Sequence, residues 1–171
     1  MRHIELITTG GTIEKTYDEH TGELANRNSV VRRMLRRLRL EGTKVHIHEL
    51  LSKDSLHMTD TDRSAIVGAV REAAERGADG ILILHGTDTL ALTGERLHTD
   101  NPAPKIPVVL TGAMRPFEMK RSDALQNLTE SLLAASLLGP GVYAVAHGRA
   151  LAFPGVVKDR ESGTFVKGQH S

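Results

Sequence analysis

The 171-residue chain contains no cysteine, and its aromatic residues amount to three phenylalanines and two tyrosines. The absence of cysteine excludes disulfide bonds, thiolate metal sites and a cysteine nucleophile. An excess of one charge is missing as well, because 22 lysines and arginines stand against 21 acidic residues. So balanced a chain has no overall field that attracts nucleic acid or an anionic membrane. We therefore expect a small-molecule partner, and neither nucleic acid nor a membrane.

The sequence also lacks long apolar runs, and none approaches the length that crosses a bilayer. Met1-Arg2-His3 leads directly into a short apolar stretch, which leaves no room for a secretory signal peptide. We therefore expect a cytoplasmic protein. A chain of this length is typical of one well-buried domain, so residues 1–171 are interpreted as a single domain.

Short apolar runs bounded by glycine or proline alternate with longer stretches of helical periodicity, a pattern typical of repeated βα units. It predicts an α/β fold: a single three-layer domain with a mostly parallel sheet flanked by helices. Strands are predicted at residues 3–8, 44–50, 80–85, 106–111 and 142–147, and helices at 29–41, 59–76, 87–98 and 122–138. Residues 150–153 and 163–166 are expected to form a short hairpin. The long polar connection at residues 9–28 indicates a functional loop.

Two turns rich in threonine and glycine follow predicted strands. The first is Thr-Thr-Gly-Gly-Thr at residues 8–12, and the second is His-Gly-Thr-Asp-Thr at residues 85–89. If both strands are parallel members of one sheet, both turns emerge at its carboxyl edge, where open α/β folds bind their ligands. The sequence therefore predicts an active site between these turns.

Thr12 is the candidate nucleophile. It follows two glycines at a strand end, where its hydroxyl is accessible and backbone N–H groups can stabilise a developing oxyanion. Thr87 and Asp88 add a second hydroxyl and a carboxylate at the start of a helix. The alternative interpretation is structural: a tight turn with Thr12 as a cap, and N-capping by the second motif. The residues alone leave both interpretations open.

Three ordered motifs carry a resemblance to a known family. Thr-Gly-Gly-Thr-Ile at residues 9–13, His-Gly-Thr-Asp-Thr at 85–89 and Gly-Ala-Met-Arg-Pro at 112–116 together resemble the bacterial-type asparaginase and glutaminase family. The resemblance runs from about residue 4 to residue 167 and matches only the amino-terminal domain of the usual member. Residues 1–171 therefore look like a short-chain, catalytic asparaginase domain without the usual carboxyl-terminal domain.

The resemblance implies a role for five residues. Thr12 corresponds to the threonine that attacks the side-chain amide of L-asparagine, forms an acyl-enzyme and releases ammonia. Thr87, Asp88 and Lys158 correspond to the second catalytic group of the family, and Tyr17 to the loop tyrosine that polarises the nucleophile. For Lys158 the alternative is a solvated tail lysine, and for Tyr17 an exposed loop residue without a role.

The resemblance also implies how the substrate is bound. Ser55 would bind the substrate α-carboxylate, and Asp88 would pair with its α-ammonium. The oxyanion would be held by backbone N–H groups near Gly11 and by Thr87. Leu56 stands where periplasmic members have glutamine, so one polar contact to the amino acid backbone of the substrate is missing, and reduced affinity or altered acceptance of glutamine is expected. The expected activity is that of an asparaginase with weaker or no glutaminase activity. No metal or organic cofactor is implied, and His46 and His48 have no third ligand at a suggestive spacing.

Other functions stay open besides an asparaginase. One is a non-catalytic amino-acid-binding or regulatory module that kept the turns but lost turnover. Another is a subunit related to tRNA-dependent amidotransferases, which the short loop at Tyr17 permits and the lack of a basic RNA-binding segment disfavours. Nucleotide binding is disfavoured because the first turn lacks the Gly-x-Gly-x-x-Gly spacing. Family sites lie at subunit contacts, so a homo-oligomer, dimer or tetramer, is expected.

Overall fold

The computed structural model describes residues 1–168. Within these residues, ten strands and four α-helices succeed one another. The strands are β1 (Arg2–Gly10), β2 (Thr16–Asp18), β3 (Glu23–Ala25), β4 (Thr43–Lys53), β5 (Gly80–Leu84), β6 (Pro107–Thr111), β7 (Gly141–Ala146), β8 (Arg149–Ala152), β9 (Val156–Asp159) and β10 (Thr164–Lys167). The helices are α1 (Val31–Leu35), α2 (Asp60–Glu75), α3 (Leu90–Asp100) and α4 (Ala124–Leu137).

Six of the strands form one sheet in the order β4-β1-β5-β6-β7-β8. The first five are parallel, and β8 runs antiparallel to β7 at the edge. Two separate antiparallel hairpins, β2 with β3 and β9 with β10, lie outside this sheet. The predicted α/β fold with a mostly parallel sheet is confirmed.

Helices cover both faces of the sheet, which makes three layers. Side chains alternate along β1 and β5, so that Ile7 and Ile83 join a core with α2 and α3. Leu6 and Leu82 point the other way into a core with α1 and α4. β5 and β6 are buried along their whole length, as strands covered on both faces must be. Within residues 1–168, no helix has the length and apolar character needed to span a bilayer.

The start and stop signals predicted for the second helix are confirmed at α2. Thr59 caps its N-terminus through a capping box, in which its hydroxyl accepts the Asp62 N–H while the Asp62 carboxylate accepts the Thr59 N–H. Gly77, just beyond the helix, has φ of 87°, a conformation that favours glycine and ends the helix. Local sequence therefore determines both ends of α2.

The first predicted helix is wrong in length: α1 ends at Leu35 rather than near residue 41. After it the hydrogen bonding changes to the 3-10 pattern, because the N–H groups of Arg37 and Leu38 donate to the carbonyls of Met34 and Leu35, three residues back. The sequence puts like charges one helical turn apart, Arg32 with Arg36 and Arg33 with Arg37. Such pairs repel each other and weaken a continuous helix.

The predicted hairpin between residues 150–153 and 163–166 is wrong in its pairing. β8 pairs with β7 through the two-residue loop His147-Gly148, and both of these residues have positive φ, 53° and 77°. Two positive φ values are typical of the tight turn that matches strand twist. β10 pairs instead with β9. The pairing of β10 with β9 holds Lys158, a residue of β9, in an ordered strand.

Candidate active site

The two threonine-glycine turns meet in direct backbone contact. Gly11 has φ of 79°, and a Cβ added there would lie 2.5 Å from the Gly86 nitrogen, closer than side-chain atoms approach. The third motif joins them, since a Cβ on Gly112 would lie 2.3 Å from the His85 carbonyl oxygen and 3.0 Å from Cγ2 of Thr87. Glycine is required at these contacts, and all three motifs converge at the carboxyl edge of the sheet.

Thr12 begins a single 3-10 turn, Thr12–Glu14, directly after Gly11. It is half-buried, so its hydroxyl is not sealed in the core. The N–H of Gly11 donates to the Lys53 carbonyl at 2.9 Å and is not free for an oxyanion. The N–H of Thr12 donates to no group of residues 1–168, as expected for the first residue of a helical turn. The backbone donor near Gly11 is therefore that of Thr12.

Asn26 fixes the direction of this donor. Its Nδ2 donates to the carbonyl oxygen of Gly11 at 2.8 Å. Because a trans peptide is planar, the Thr12 N–H points opposite to the Gly11 carbonyl, away from Asn26. Nothing in the sequence pattern of the loop marks this asparagine, and sequence reasoning missed it.

Lys158 reaches two residues of the second turn. Its Nζ donates to Thr87 Oγ1 and to Asp88 Oδ1, each at 2.8 Å, across about seventy residues of chain. The exposed guanidinium of Arg160, which sequence reasoning missed, also approaches Asp88 Oδ1 at 3.2 Å. Thr87 is 7% exposed, and Asp88 and Lys158 are half-buried. Lys158 thus hydrogen-bonds both of the residues that the resemblance groups with it.

The group holds one carboxylate and two cationic side chains. The hydrogen bond from Lys158 holds the pKa of Asp88 below its usual range, and the positive charges of Lys158 and Arg160 act in the same direction. Asp88 is therefore ionised at neutral pH. Since the Lys158 ammonium donates to Thr87 Oγ1, the hydroxyl proton of Thr87 is left to donate elsewhere.

The β9–β10 hairpin gives Lys158 its position. Successive side chains of a strand point to opposite sides, so Lys158 shares a side with Val156, which is buried in the core beside α3. On β10, Phe165 stands opposite Lys158 in the ladder and is also buried. Lys158 therefore belongs to an ordered strand and is no loose tail residue.

Ser55 ties the turn after β4 to the second motif. It is 1% exposed and packs against Gly86; the Thr89 N–H donates to its Oγ at 3.3 Å, and the Thr89 hydroxyl donates to its carbonyl at 2.9 Å. Next to it, Asp54 forms an ion pair at 2.8 Å with Lys15 from the loop after Thr12. Lys15 is a further residue that the sequence analysis missed. The arrangement holds Ser55 close to the site but leaves little of its surface open.

Tyr17 is the predicted residue that stands apart. It lies on β2, its side chain is exposed, and its hydroxyl makes no hydrogen bond with any group in residues 1–168. Its backbone N–H donates to Glu118 Oε2 at 3.1 Å, and Glu118 Oε1 is paired with Arg33 at 2.8 Å. The hairpin is thus anchored to the rest of the molecule, with the phenol of Tyr17 outside the Lys158 group.

His85, the first residue of the second motif, has a structural role. Burial lowers its pKa to about 4, so the ring is neutral at physiological pH. Nδ1 lies 2.8 Å from the Gly86 carbonyl and Nε2 lies 2.8 Å from the Thr93 hydroxyl. The carbonyl can only accept, so Nδ1 carries the proton and Nε2 accepts from Thr93. Through these two hydrogen bonds the ring connects the second turn to α3.

A cleft of about 420 Å³ lies beside the two turns. Its lining includes Lys15, Asn26, Asp54 and His57, but neither Thr12 nor Thr87. The cleft therefore lies next to Lys15 and Asn26, which follow and contact the Thr12 turn, and does not extend to Thr87. In the portion of the chain that the structure describes, no three histidine or carboxylate side chains form a group suited to a metal ion.

Comparison with known sequences places these features in a family. The family model "Asparaginase, N-terminal" matches residues 3–164. The chain is 38% identical over 138 residues to the L-asparaginase of Thermococcus kodakarensis, an alignment that covers 81% of this chain and 42% of that protein. It is 31% identical over 151 residues to a glutamyl-tRNA(Gln) amidotransferase subunit of Methanococcus vannielii, covering 86% of this chain and 35% of that protein.

Solved structures give the same result. The thermostable L-asparaginase from Thermococcus kodakarensis superposes with a TM-score of 0.85 at 34% identity, covering 96% of this chain and 51% of that one. A probable cytoplasmic L-asparaginase from Campylobacter jejuni superposes with a TM-score of 0.78 at 25% identity, covering 98% and 52%. The chain thus spans about half the length of these relatives, or less. Because the family model matches nearly all of it and three family motifs meet at one sheet edge, the chain belongs to the asparaginase family and corresponds to its N-terminal domain.

Proposed function

We propose that the protein is an L-asparagine amidohydrolase, which produces L-aspartate and ammonia through an acyl-enzyme on Thr12, with weaker or no activity on glutamine. The observation that carries the proposal is the pair of 2.8 Å hydrogen bonds from Lys158 to Thr87 and Asp88, on the turn that contacts the Thr12 turn. Capping alone requires no half-buried lysine at that position. Two hydroxyls and one ammonium at a sheet edge suit acyl transfer.

The reaction follows from the donors at hand. The Thr12 hydroxyl oxygen attacks the side-chain amide carbon, and the Thr12 N–H and the Thr87 hydroxyl stabilise the oxyanion. When the C–N bond breaks, the proton lost by Thr12 leaves with the nitrogen as ammonia. Water then attacks the aspartyl ester, breaks its C–O bond and restores the Thr12 hydroxyl.

Substrate binding is proposed at the charged groups around this centre. Asp88 is ionised, and its Oδ2 is free of hydrogen bonds within residues 1–168, so it can accept the substrate α-ammonium. Ser55 is proposed to bind the α-carboxylate and Gly11 to lie beside the amide. Because Ser55 is only 1% exposed, the turn after β4 must open slightly for its hydroxyl to reach the substrate. Leu56 is exposed and apolar, so it gives the amino acid backbone of the substrate no polar contact, and lower affinity is expected.

Tyr17 is proposed to act after a movement of the β2–β3 hairpin towards Thr12. This hairpin is short, and a two-stranded hairpin on its own is only marginally stable in water. The contacts through Glu118 and Asn26 hold it in the present position, so they would have to open or shift as the hairpin moves when substrate fills the site. In that closed form the phenol would polarise the Thr12 hydroxyl.

We further propose that residues 1–171 act as one catalytic domain in a cytoplasmic homo-oligomer. The location rests on the likeness to the probable cytoplasmic enzyme of Campylobacter jejuni. Leu133 and Leu137 on α4 are exposed, and such apolar surface favours association. A partner copy would also narrow the open side of the site.

A second candidate is the ammonia-releasing subunit of an amidotransferase. It is favoured by the 31% identity to the amidotransferase subunit of Methanococcus vannielii, whose name implies a protein partner. A subunit of that kind is proposed to take glutamine as its amide donor, so the preferred substrate distinguishes the two proposals. A non-catalytic amino-acid-binding module is the third, and it would bind aspartate or asparagine without releasing ammonia.

The deciding experiment measures ammonia release from asparagine and from glutamine by the intact chain and by Thr12→Ala. We expect a preference for asparagine and a loss of at least about a thousandfold in the variant, the scale of losing a covalent nucleophile. Thr21→Ala, in the exposed loop of the β2–β3 hairpin, is the control and should keep full activity. Unchanged turnover in Thr12→Ala would reject the threonine mechanism, and preference for glutamine would select the amidotransferase subunit.

A further inference from the structure

Glu14 is a buried acid next to the candidate nucleophile that the proposed reaction does not use. It ends the 3-10 turn that Thr12 begins, and it is only 4% exposed. Within residues 1–168 it forms no ion pair with a lysine, arginine or histidine. A buried carboxyl without a counter-charge is costly, so its retention beside Thr12 calls for a reason.

The carboxyl of Glu14 joins the two ends of the loop that contains the β2–β3 hairpin. Its Oε2 accepts the N–H of Gly10 at 3.2 Å, and its Oε1 accepts the hydroxyl of Ser29. The Ser29 oxygen in turn accepts the Val31 N–H at 3.3 Å, at the start of α1. One side chain therefore fixes the backbone immediately before Thr12 and the point where the loop rejoins the core.

Solvent reaches this contact through a cleft of about 260 Å³, which Glu14 lines together with Arg27, Ser29 and Glu49. The charged groups that face Glu14 are Glu49 from β4 and Arg27 from the segment before α1; β1 contributes no charged group to the lining. Arg27 is already paired with Asp18, and Arg32 of α1 lies 3.7 Å from Glu49. Burial raises the pKa of Glu14 to about 7, the hydrogen bonds from Ser29 and Gly10 oppose the rise, and the charge of Glu49 adds to it.

We propose that Glu14 is a positioning residue for Thr12, and that its ionised form holds the Gly10–Thr12 turn and the loop end at Ser29 in the active arrangement. A carboxylate only accepts hydrogen bonds, whereas a carboxylic acid must donate through one oxygen. Protonation therefore weakens the pair of contacts: on Oε2 it removes the acceptor of the Gly10 N–H, and on Oε1 it reverses the hydrogen bond so that Glu14 donates to Ser29 Oγ. In either case the bond to Gly10 loses the negative charge that strengthens it. The inference rests on the proposed function of Thr12.

The first test is the pH profile of kcat/KM for ammonia release from asparagine. For the unmodified chain we expect a fall of about tenfold between pH 8 and pH 6, because one proton inactivates the turn and the ionised fraction drops tenfold per unit below the midpoint. Glu14→Gln should lose that fall and give a flat profile over the same range. A merely structural side chain would change the rate but leave the midpoint where it was.

Two matched variants shift the midpoint in opposite directions and keep the test open if Glu14→Gln does not fold. Glu49→Gln removes a neighbouring negative charge and should move the midpoint to lower pH. Ser29→Ala removes a hydrogen bond that favours the ionised form and should move it to higher pH. Unmoved midpoints in both variants would overturn the proposal.

A measurement independent of activity separates this inference from the proposed function. The amide of Gly10, followed by 15N NMR, should titrate with the midpoint of the pH profile in the unmodified chain and should not titrate in Glu14→Gln. A Gly10 amide that stays constant from pH 5 to pH 9 overturns the role of Glu14, whatever the activity. A titrating Gly10 amide in a chain that releases no ammonia instead supports the contact and rejects the asparaginase proposal.

Discussion

Gly11 and Gly86 lie in backbone contact: a Cβ on Gly11 would stand 2.5 Å from the Gly86 nitrogen and 2.6 Å from its Cα. The two glycines belong to turns that follow neighbouring parallel strands, β1 and β5. Each is followed directly by a threonine of the candidate site. Because neither glycine has a side chain, the two turns can approach closely, and this approach sets the spacing between Thr12 and Thr87.

Gly11→Ala should separate the two turns. The added methyl group collides with backbone atoms, which cannot move aside as a flexible side chain can, and φ of 79° adds strain. We expect lower stability and a loss of ammonia release greater than the loss of folded protein. Gly22→Ala is the control, because Gly22 has a similar φ of 72° but no atom within 4 Å. Equal effects of the two changes, by urea unfolding and activity assay, would show that strain alone matters.

Lys158→Met and Arg160→Met each remove a cation beside Asp88, but only Lys158 also contacts Thr87. If the hydrogen bond to Thr87 serves catalysis, Lys158→Met should lower kcat by about a hundredfold or more, the usual range for a residue that handles protons. Arg160→Met should change it by less than about threefold, since its side chain is largely exposed and exposed ion pairs contribute little. Similar losses in both variants would assign the effect to charge near Asp88 rather than to Thr87.

Glu14→Gln should alter stability in a pH-dependent way. The folded pKa of Glu14 is raised to about 7 from an ordinary value of 4.5, mainly by burial. The stability linked to its proton is therefore fully present below about pH 4.5 and is lost as the pH rises through 7. Because glutamine carries no charge, the unfolding free energy of the variant relative to the unmodified chain should increase by about 3 kcal/mol between pH 4.5 and pH 8.5.

Urea unfolding at these two pH values measures that difference for Glu14→Gln. Glu19→Gln serves as its control, because Glu19 is exposed in the β2–β3 hairpin and makes no ion pair within residues 1–168. A constant difference between Glu14→Gln and the unmodified chain at both pH values would contradict the raised pKa.

Gly94→Ala should destabilise the support of the β9–β10 hairpin. In α3, a Cβ on Gly94 would lie 2.0 Å from Cζ of Phe153, a buried ring at the end of β8. Displacing the ring should cost about 1–3 kcal/mol, as overpacking does, and should also lower activity because the segment after Phe153 leads to Lys158. Gly68→Ala in α2 meets no atom within 4 Å and should instead stabilise the protein by up to about 1 kcal/mol. Urea unfolding curves of the two variants measure these changes in the free energy of unfolding. A Gly94→Ala variant as stable as the unmodified chain would refute the packing argument.

Much of the fold follows from local pattern. The apolar runs that predict β5 and β6 are strands buried on both faces, and Thr59 with Asp62 forms the expected helix start. α1 shows the limit of this approach, because repulsion between arginines one turn apart shortens a helix that periodicity alone predicts to continue. The pairing of β8 is a second limit, since His147-Gly148 makes a tight turn that an apolar pattern does not reveal.

The residues of the candidate site also fall into two sets, those that local sequence identifies and those that it does not. Thr12, Thr87 and Asp88 were identified because glycine-rich turns at strand ends have a recognisable composition. Lys158 was identified only through the family resemblance, and Asn26 and Glu14 were missed. Their contacts with the Thr12 turn span a loop whose path no local rule predicts.

By itself the sequence determined the parallel strands of the main sheet, the longer helices, the two threonine turns and the balance of charge, because periodicity, caps and glycines act over a few neighbouring residues. Only the tertiary structure decided that Lys158 meets Thr87, that Tyr17 stands apart and that Glu14 is buried next to Thr12. Those relationships depend on strand pairing and packing between residues far apart in the chain. They arise when folding brings backbone segments such as Gly11 and Gly86 into contact and excludes water from groups such as Glu14.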